Sequence, residues 1–189
     1  VGYDGLTANT TGSNNTASGY RALYSNSTGS SNVATGFYAL LNQTSGNQNS
    51  AFGFRALNTN STGSHNSAMG YIALYSNTTS SYNIAIGSQA LQDANRTADT
   101  DGYNTALGVA AGNTGTNDVT TGNKNTLLGA RTAASAAAGT NQSVIGYLAS
   151  GQADNSVTLG NADVTTVYMS QDAGATIHAA GVTSASNAN

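Results

Sequence analysis

One short motif recurs along the chain at a fixed spacing, and this period limits the possible folds more than any other feature. The stretch from His65 to Ser80 reads HNSAMGYIALYSNTTS, and close variants of it begin at Gln48 and at Tyr82. A fixed period of this kind predicts a stack of repeated structural units, called rungs below. The glycines that anchor the units are Gly2, Gly19, Gly36, Gly53, Gly70, Gly87, Gly108, Gly129, Gly146 and Gly160.

Within each unit, residue types return at fixed offsets from the anchor glycine. Ala precedes the glycine by two positions, an aromatic residue often follows it directly, and Leu follows it by four. The Asn, Gly, Ser and Thr between these positions are typical of turns. The intervening stretches of about four to six residues alternate with a period of two, which predicts strands.

A helical solenoid is the competing interpretation of a repeat, and composition argues against it. Helical repeats are usually about 33 to 47 residues long and rich in Leu, Glu and Lys. This chain has 23 Gly and no Glu. Its anchors follow one another at about 14 to 21 residues, well below the helical lengths. The sequence therefore predicts an all-β parallel roll of about ten rungs, each adding about 4.8 Å of height.

Charge and composition also exclude several classes of function. Only 7% of the residues are charged and the net charge is −3, so no basic face for nucleic acid is expected. The chain has no Cys and no apolar run near the ~20 residues of a membrane helix. We expect no cofactor and no membrane insertion, and the lack of a leader at Val1 suggests a fragment or a processed product.

The alternation along each strand predicts two unequal faces. A thin roll can enclose only the small Ala side, which leaves the large residues before each glycine as an exposed apolar stripe. Association with copies of the same chain about an axis along the stack would cover it. Which column faces that axis stays open. The candidate packing residues are Leu23, Leu40, Leu57, Leu74 and Leu91 together with Phe52, Met69, Ile86, Leu107, Leu128 and Ile145.

Catalytic patterns are weak, and we do not expect an enzyme. His65 and His178 lie far apart, and all eight acidic residues are Asp. Asp99 and Asp101 in ADTDGYN form a candidate calcium site, with a solvated loop as the alternative. This segment and a second insertion, Asn113 to Lys124, are expected to bulge from the same side of successive rungs.

Aromatic residues suggest a binding surface of neutral character. Tyr24, Tyr38, Tyr75 and Tyr82 are the candidate ligand-binding residues, because Tyr offers hydrogen-bonding groups suited to glycans. The column after the glycine could be a sugar platform, but a packed ladder between rungs is favoured. Arg21 and Arg55 share a repeat position with Asp4, Tyr38, Ile72 and Gln89, and this variety indicates an exposed position without a common role.

The wording of the units resembles a known family. SNVATG, QNSAFG, HNSAMG, YNIAIG, YNTALG and DNSVTLG resemble the repeats of YadA-like head domains in trimeric autotransporter adhesins, and GYRALYSNSTGSSN is similar to repeats of bacteriophage tail fibres and bacterial surface fibres. The resemblance covers residues 1–160 and implies a left-handed parallel β-roll, homotrimeric, that works by adhesion. The rungs are longer than those of the autotransporter pattern, and no coiled-coil neck is visible.

Residues 161–189 no longer follow the repeat pattern and are interpreted as a short C-terminal β segment. Strands are predicted over Val164 to Met169 and Ala175 to Val182. The segment is similar to the one that precedes the endosialidase-type self-cleaving chaperone of tail fibres. The resemblance then implies that this chain is the released or truncated product.

The favoured function is that of a structural and adhesive segment of an extracellular fibre, on a bacterial cell surface or a phage virion. Its ligand would be a cell-surface glycan or a surface protein of a host or prey cell. The alternatives are an ice-binding solenoid, a passive spacer and a glycan-processing solenoid. Ice binding would need a regular Thr rank on one face, and the Thr residues cluster at turns instead.

Overall fold

The computed structural model describes residues 2–95 and 101–167, and over these ranges the chain is an all-β parallel solenoid of about eight turns with no helix. Consecutive strands pair in parallel to form one sheet in chain order. The strands are β1 (Thr16–Ser18), β2 (Val33–Thr35), β3 (Ser50–Phe52), β4 (Ser67–Met69), β5 (Ile84–Ile86), β6 (Thr105–Leu107), β7 (Thr126–Leu128), β8 (Ser143–Ile145) and β9 (Val157–Leu159).

Each strand has only three residues, so the expected four to six was wrong. The reason lies at both ends of the strand. The glycine that follows β3, Gly53, adopts a φ of 135°, which ends the extended backbone. The residue that precedes β3, Asn49, turns its side chain into the interior. Most residues of each rung therefore lie in corners, and only three lie in a strand.

The repeat length sets the register between rungs. The common repeat length places equivalent residues of adjacent rungs opposite each other, as with Ala34 and Ala51. The longer repeat after β5 keeps the same register, with Ala85 opposite Ala106, because the extra residues lie outside the strands. Backbone bonds also join the corners of successive rungs, as where Leu40 N donates to Ala56 O at 3.1 Å. The chain therefore builds straight columns of equivalent residues.

The core is a thin filling of alanine and leucine. The middle residue of each strand from β1 to β8 is buried and its two neighbours mostly point outward, as the alternation predicts. Leu23, Leu40, Leu57, Leu74 and Leu91 are fully buried opposite the sheet. No larger side chain would fit in so narrow an interior, so the bulkier strand residues lie outside.

Buried amides form a second, polar element of the interior. Asn66 N donates to Asn49 Oδ1 at 2.9 Å, and Asn66 Oδ1 accepts from Asn83 N at 3.0 Å. The Asn66 Nδ2 group also donates to the Ser80 carbonyl at 2.9 Å. Each amide thus closes one corner and joins the adjacent rungs. The members of this asparagine ladder are Asn15, Asn32, Asn49, Asn66, Asn83, Asn104, Asn125 and Gln142.

Close contact between rungs explains the anchor glycines. At Gly70 the φ is 141°, and a Cβ atom would lie 2.5 Å from the Gly87 carbonyl oxygen. Other corners take left-handed backbone with ordinary side chains, such as Arg55 at 54° and Leu57 at 50°. Only the glycine position combines an unusual φ with backbone at contact distance.

The predicted strand from Val164 to Met169 is wrong over its described part, residues 164–167, which contain no strand. The chain turns after β9 instead, and Val164 N donates to Asn161 O at 3.2 Å. Met169, His178 and the predicted strand from Ala175 to Val182 lie outside the described residues.

Replacing Asn66 by Ala should lower the free energy of unfolding by about 1–3 kcal/mol, the cost of one buried polar group without a partner. The change leaves the Asn83 backbone amide without its acceptor, while the Ser80 carbonyl loses one of its two amide donors and keeps Asn77 Nδ2. Urea titration followed by circular dichroism measures the loss. The matched control is Ser67→Ala at the next, exposed position. Equal stability of the two variants would contradict a structural role for the ladder.

Replacing Gly70 by Ala should destabilise the fold far more than replacing Gly115 by Ala. Both glycines have positive φ, but a Cβ at Gly115 meets nothing within 4 Å. Gly115→Ala therefore carries only backbone strain of about 1–3 kcal/mol. Thermal melts of the two variants compare the costs, and similar melting temperatures would show that rung contact is not what requires glycine.

Candidate functional site

A continuous row of large apolar side chains runs along the outside of the sheet. Its members, called the apolar stripe below, are Phe52, Met69, Ile86, Leu107, Leu128, Ile145 and Leu159. Their exposed fractions lie between 37% and 51%. The register places each directly beside the next, as in Phe52 opposite Met69. Six of the predicted packing residues thus lie on the outer surface, while the five leucines lie in the core.

The aromatic residues that follow the glycines form a stacked ladder. Ring centroids are 5.6 Å apart for Tyr3 and Tyr20, 5.4 Å for Phe37 and Phe54, and 5.3 Å for Phe54 and Tyr71. The rings of the first pair are nearly parallel, at 3°. Because each inner ring covers its neighbour's face, these rings offer only their edges to a ligand, and the column is a packed ladder rather than a sugar platform.

A shorter ladder stands on another corner. His65 stacks on Tyr82 at 4.8 Å, and Tyr82 stacks on Tyr103 at 5.0 Å. Tyr82, a predicted ligand-binding residue, is exposed, but both faces of its ring are covered. Its accessible part is therefore the outer edge of the ring.

Two arginines and several aromatic rings meet at the repeat position that follows the aromatic ladder. The Arg21 guanidinium carbon lies 5.2 Å from the Tyr20 ring and 5.0 Å from the Tyr24 ring. The Arg55 guanidinium carbon lies 5.7 Å from the Tyr38 ring and 5.2 Å from the Phe54 ring. We call Arg21, Tyr38 and Arg55 the arginine corner. Two predicted ligand residues, Tyr24 and Tyr38, thus contact cations, while Tyr75 is half-buried.

The two arginines differ in their electrostatic surroundings. Arg21 Nε donates to Asp4 Oδ2 at 3.4 Å. Partial desolvation opposes its charge, but the nearby Tyr20 and the hydrogen bond to Asp4 outweigh it, so the pKa of Arg21 is raised. Arg55 has no acidic partner within the described ranges, and its buried Nε has no acceptor there. The positive charge of Arg55 is therefore less balanced by nearby acidic groups than that of Arg21.

Of the two predicted metal-binding residues, Asp101 lies within the described residues and Asp99 does not. Asp99 lies outside the described residues, as does the rest of 96–100, so the side from which the first insertion projects stays a prediction. Asp101 is half-buried and accepts a hydrogen bond from the Tyr103 hydroxyl at 3.2 Å. Across residues 2–95 and 101–167, no three His, Cys, Asp or Glu side chains lie close enough together to share a metal ion.

Two adjacent columns of hydroxyl residues line a further corner. The hydroxyl groups of Thr10, Thr44 and Ser61 donate to carbonyl groups of the next rung. The neighbouring column, Thr11, Thr28, Ser45 and Thr62, is exposed. The ice-binding alternative needs several regular columns of outward-facing hydroxyl groups. The hydroxyls of the first column are used in bonds between rungs, so only the second column here faces outward.

The arginine corner was missed from sequence because its members belong to a column of mixed residue types. The available signal was the spacing, since Arg21, Tyr38 and Arg55 occupy the same position in three successive repeats. That spacing places Tyr38 one rung from each arginine, and the Arg55 guanidinium carbon lies 5.7 Å from its ring.

Comparison with known proteins gives no further identification. No family model matches the chain, and no curated protein or solved structure is significantly similar to it. Within the described ranges, no helix is long and apolar enough to cross a membrane.

Proposed function

We propose that the chain is a structural and adhesive segment of a homotrimeric extracellular fibre, whose repetitive surface attaches to cell-surface glycans or to a surface protein. A β-solenoid is compatible with a fibre or repeat structural role. The apolar stripe is the main observation in support of the proposal. Seven exposed apolar side chains in register would give no advantage to a protein that functions as a monomer in water.

The shape of the stripe favours a second copy of this chain as the covering surface. Rungs spaced at about 4.8 Å make a stripe about 29 Å long. A partner that covers the stripe must have apolar groups over the same length and at the same spacing. Another copy of this chain has them, because its own stripe is identical and can lie alongside when the copies share an axis. The trimeric state follows from the resemblance of the units to YadA-like repeats.

The outward faces suit attachment by many weak contacts. They are nearly uncharged and carry hydroxyl, amide and phenol groups that return with every rung. Each contact is weak, but three parallel chains present the same contacts many times, and linked contacts raise the overall affinity. Such a fibre would act outside the cell, on a bacterial surface or a phage virion.

The association is tested by sedimentation equilibrium of the wild-type chain and of the double variant Leu107→Lys, Leu128→Lys. We expect a trimer for the wild type and smaller species for the variant, since two ammonium groups in the stripe cannot be desolvated without partners. The control is Thr11→Lys, Thr28→Lys, which adds the same charge to an exposed corner. A wild-type monomer, or dissociation of both variants, would refute the stripe as the interface.

Attachment is tested by applying the wild-type chain and the stripe variant to a glycan array and to whole bacterial cells. We expect the wild type to bind at least about a hundredfold more strongly than the dissociated variant, because multivalency is lost. No binding by either would favour the passive spacer. Measurable thermal hysteresis of freezing would favour the ice-binding alternative instead.

A further inference from the structure

We propose that Arg55, held between Tyr38 and Phe54, binds a carboxylate of an acidic saccharide. This inference rests on the proposed attachment role and names the chemical class of its ligand.

The geometry restricts the Arg55 guanidinium before any ligand arrives. Its central carbon lies 5.7 Å from the Tyr38 ring and 5.2 Å from the Phe54 ring. Both rings are themselves fixed, since Phe54 stacks between Phe37 and Tyr71, and the Tyr38 ring lies 4.1 Å from that of Phe37. A side chain held in place loses less conformational entropy on binding.

The two terminal nitrogens of Arg55 are the donors that remain for a ligand. Its Nε is enclosed and has no acceptor, whereas the two terminal nitrogens are not among the enclosed atoms without partners in the described residues. Two parallel N–H groups of a guanidinium match the two oxygens of a carboxylate. The terminal nitrogens are therefore the pair of donors that a carboxylate would engage.

Charge distinguishes Arg55 from Arg21, the other cation of the arginine corner. Arg21 already pairs with Asp4, while Arg55 has no acidic partner within the described ranges. The aromatic rings stabilise the cation without neutralising it. An anionic ligand would supply the missing charge, on a surface where only 7% of residues are charged.

A saccharide suits the corner better than an acidic peptide. The surroundings offer phenol groups, which can exchange hydrogen bonds with sugar hydroxyls, and ring edges, which can pack against sugar C–H groups. Arg21 lies two rungs away, about 9.6 Å along the stack. A polymer with repeated carboxylates, running parallel to the axis, would meet Arg55 first and Arg21 as a second, partly neutralised cation.

The test is calorimetric titration of the full chain with oligogalacturonate and with its methyl ester, which has the same sugars but no charge. A sulfated oligosaccharide of equal length forms a third arm. We expect the carboxylated form to bind and the ester at least about tenfold more weakly, because the ester carries no anion for the guanidinium to pair with. The sulfated arm tests whether the carboxylate is preferred, since a guanidinium fork also pairs bidentately with tetrahedral anions.

Matched variants locate the contact. Arg55→Gln should weaken oligogalacturonate binding about tenfold or more. Arg55→Lys keeps the charge but lacks the fork and should also bind weakly. Arg131→Gln removes the same charge from the same repeat position, where the neighbours are Ala110 and Leu148 instead of aromatic residues, and should bind like the wild type. Equal thermal melts of the variants exclude misfolding.

Several results would overturn the inference. They are equal binding of the acid and the ester, wild-type binding by Arg55→Gln, equal losses in Arg55→Gln and Arg131→Gln, and a preference for the sulfated form. Attachment of the chain to neutral glycans alone would refute the carboxylate contact and leave the proposed fibre function intact. Absence of any binding to glycans or cells would refute both.

Discussion

Hydrogen bonding between successive rungs is the interaction on which the rest of the structure depends. The strands have three residues each, so the sheet alone supplies few bonds per rung. Corner amides and the asparagine ladder supply the others, as where Asn66 joins the rungs of Asn49 and Asn83. Buried polar groups without partners are costly, so each rung needs its neighbour to be stable, and the stack is cooperative between nearest neighbours.

The thinness of the solenoid connects stability with the proposed association. An interior that holds Ala51 and Leu57 has no room for Phe52, so the bulkier strand residues lie on the outside. In a thick globular protein these residues would form the core. Here the same apolar residues form an exposed stripe in register, and burying them would provide the driving force for the proposed association with further copies.

Part of this arrangement could be predicted from sequence and part could not. The period, the parallel stacking, the Ala-inside alternation and the stacked aromatic column followed from residue spacing and side-chain size. Strand length was overestimated, because the residue types did not reveal that Gly53, with a φ of 135°, ends the extended backbone directly after Phe52. The strand expected from Val164 was wrong over 164–167, since the chain turns at Asn161, whose carbonyl accepts a hydrogen bond from Val164 N.

The sequence by itself determined the repeat, because a fixed spacing of Gly, Ala, Leu and Asn brings equivalent residues into columns whatever the details of the corners. Only the tertiary structure decided what the leucine column and the corner residues face. The leucines and the apolar stripe look alike in sequence, yet Leu57 is buried and Leu107 is exposed. Likewise, the contact of Arg55 with Tyr38 and Phe54 exists only because stacking places equivalent residues of adjacent rungs side by side, and because the left-handed corner sets the direction of the side chain.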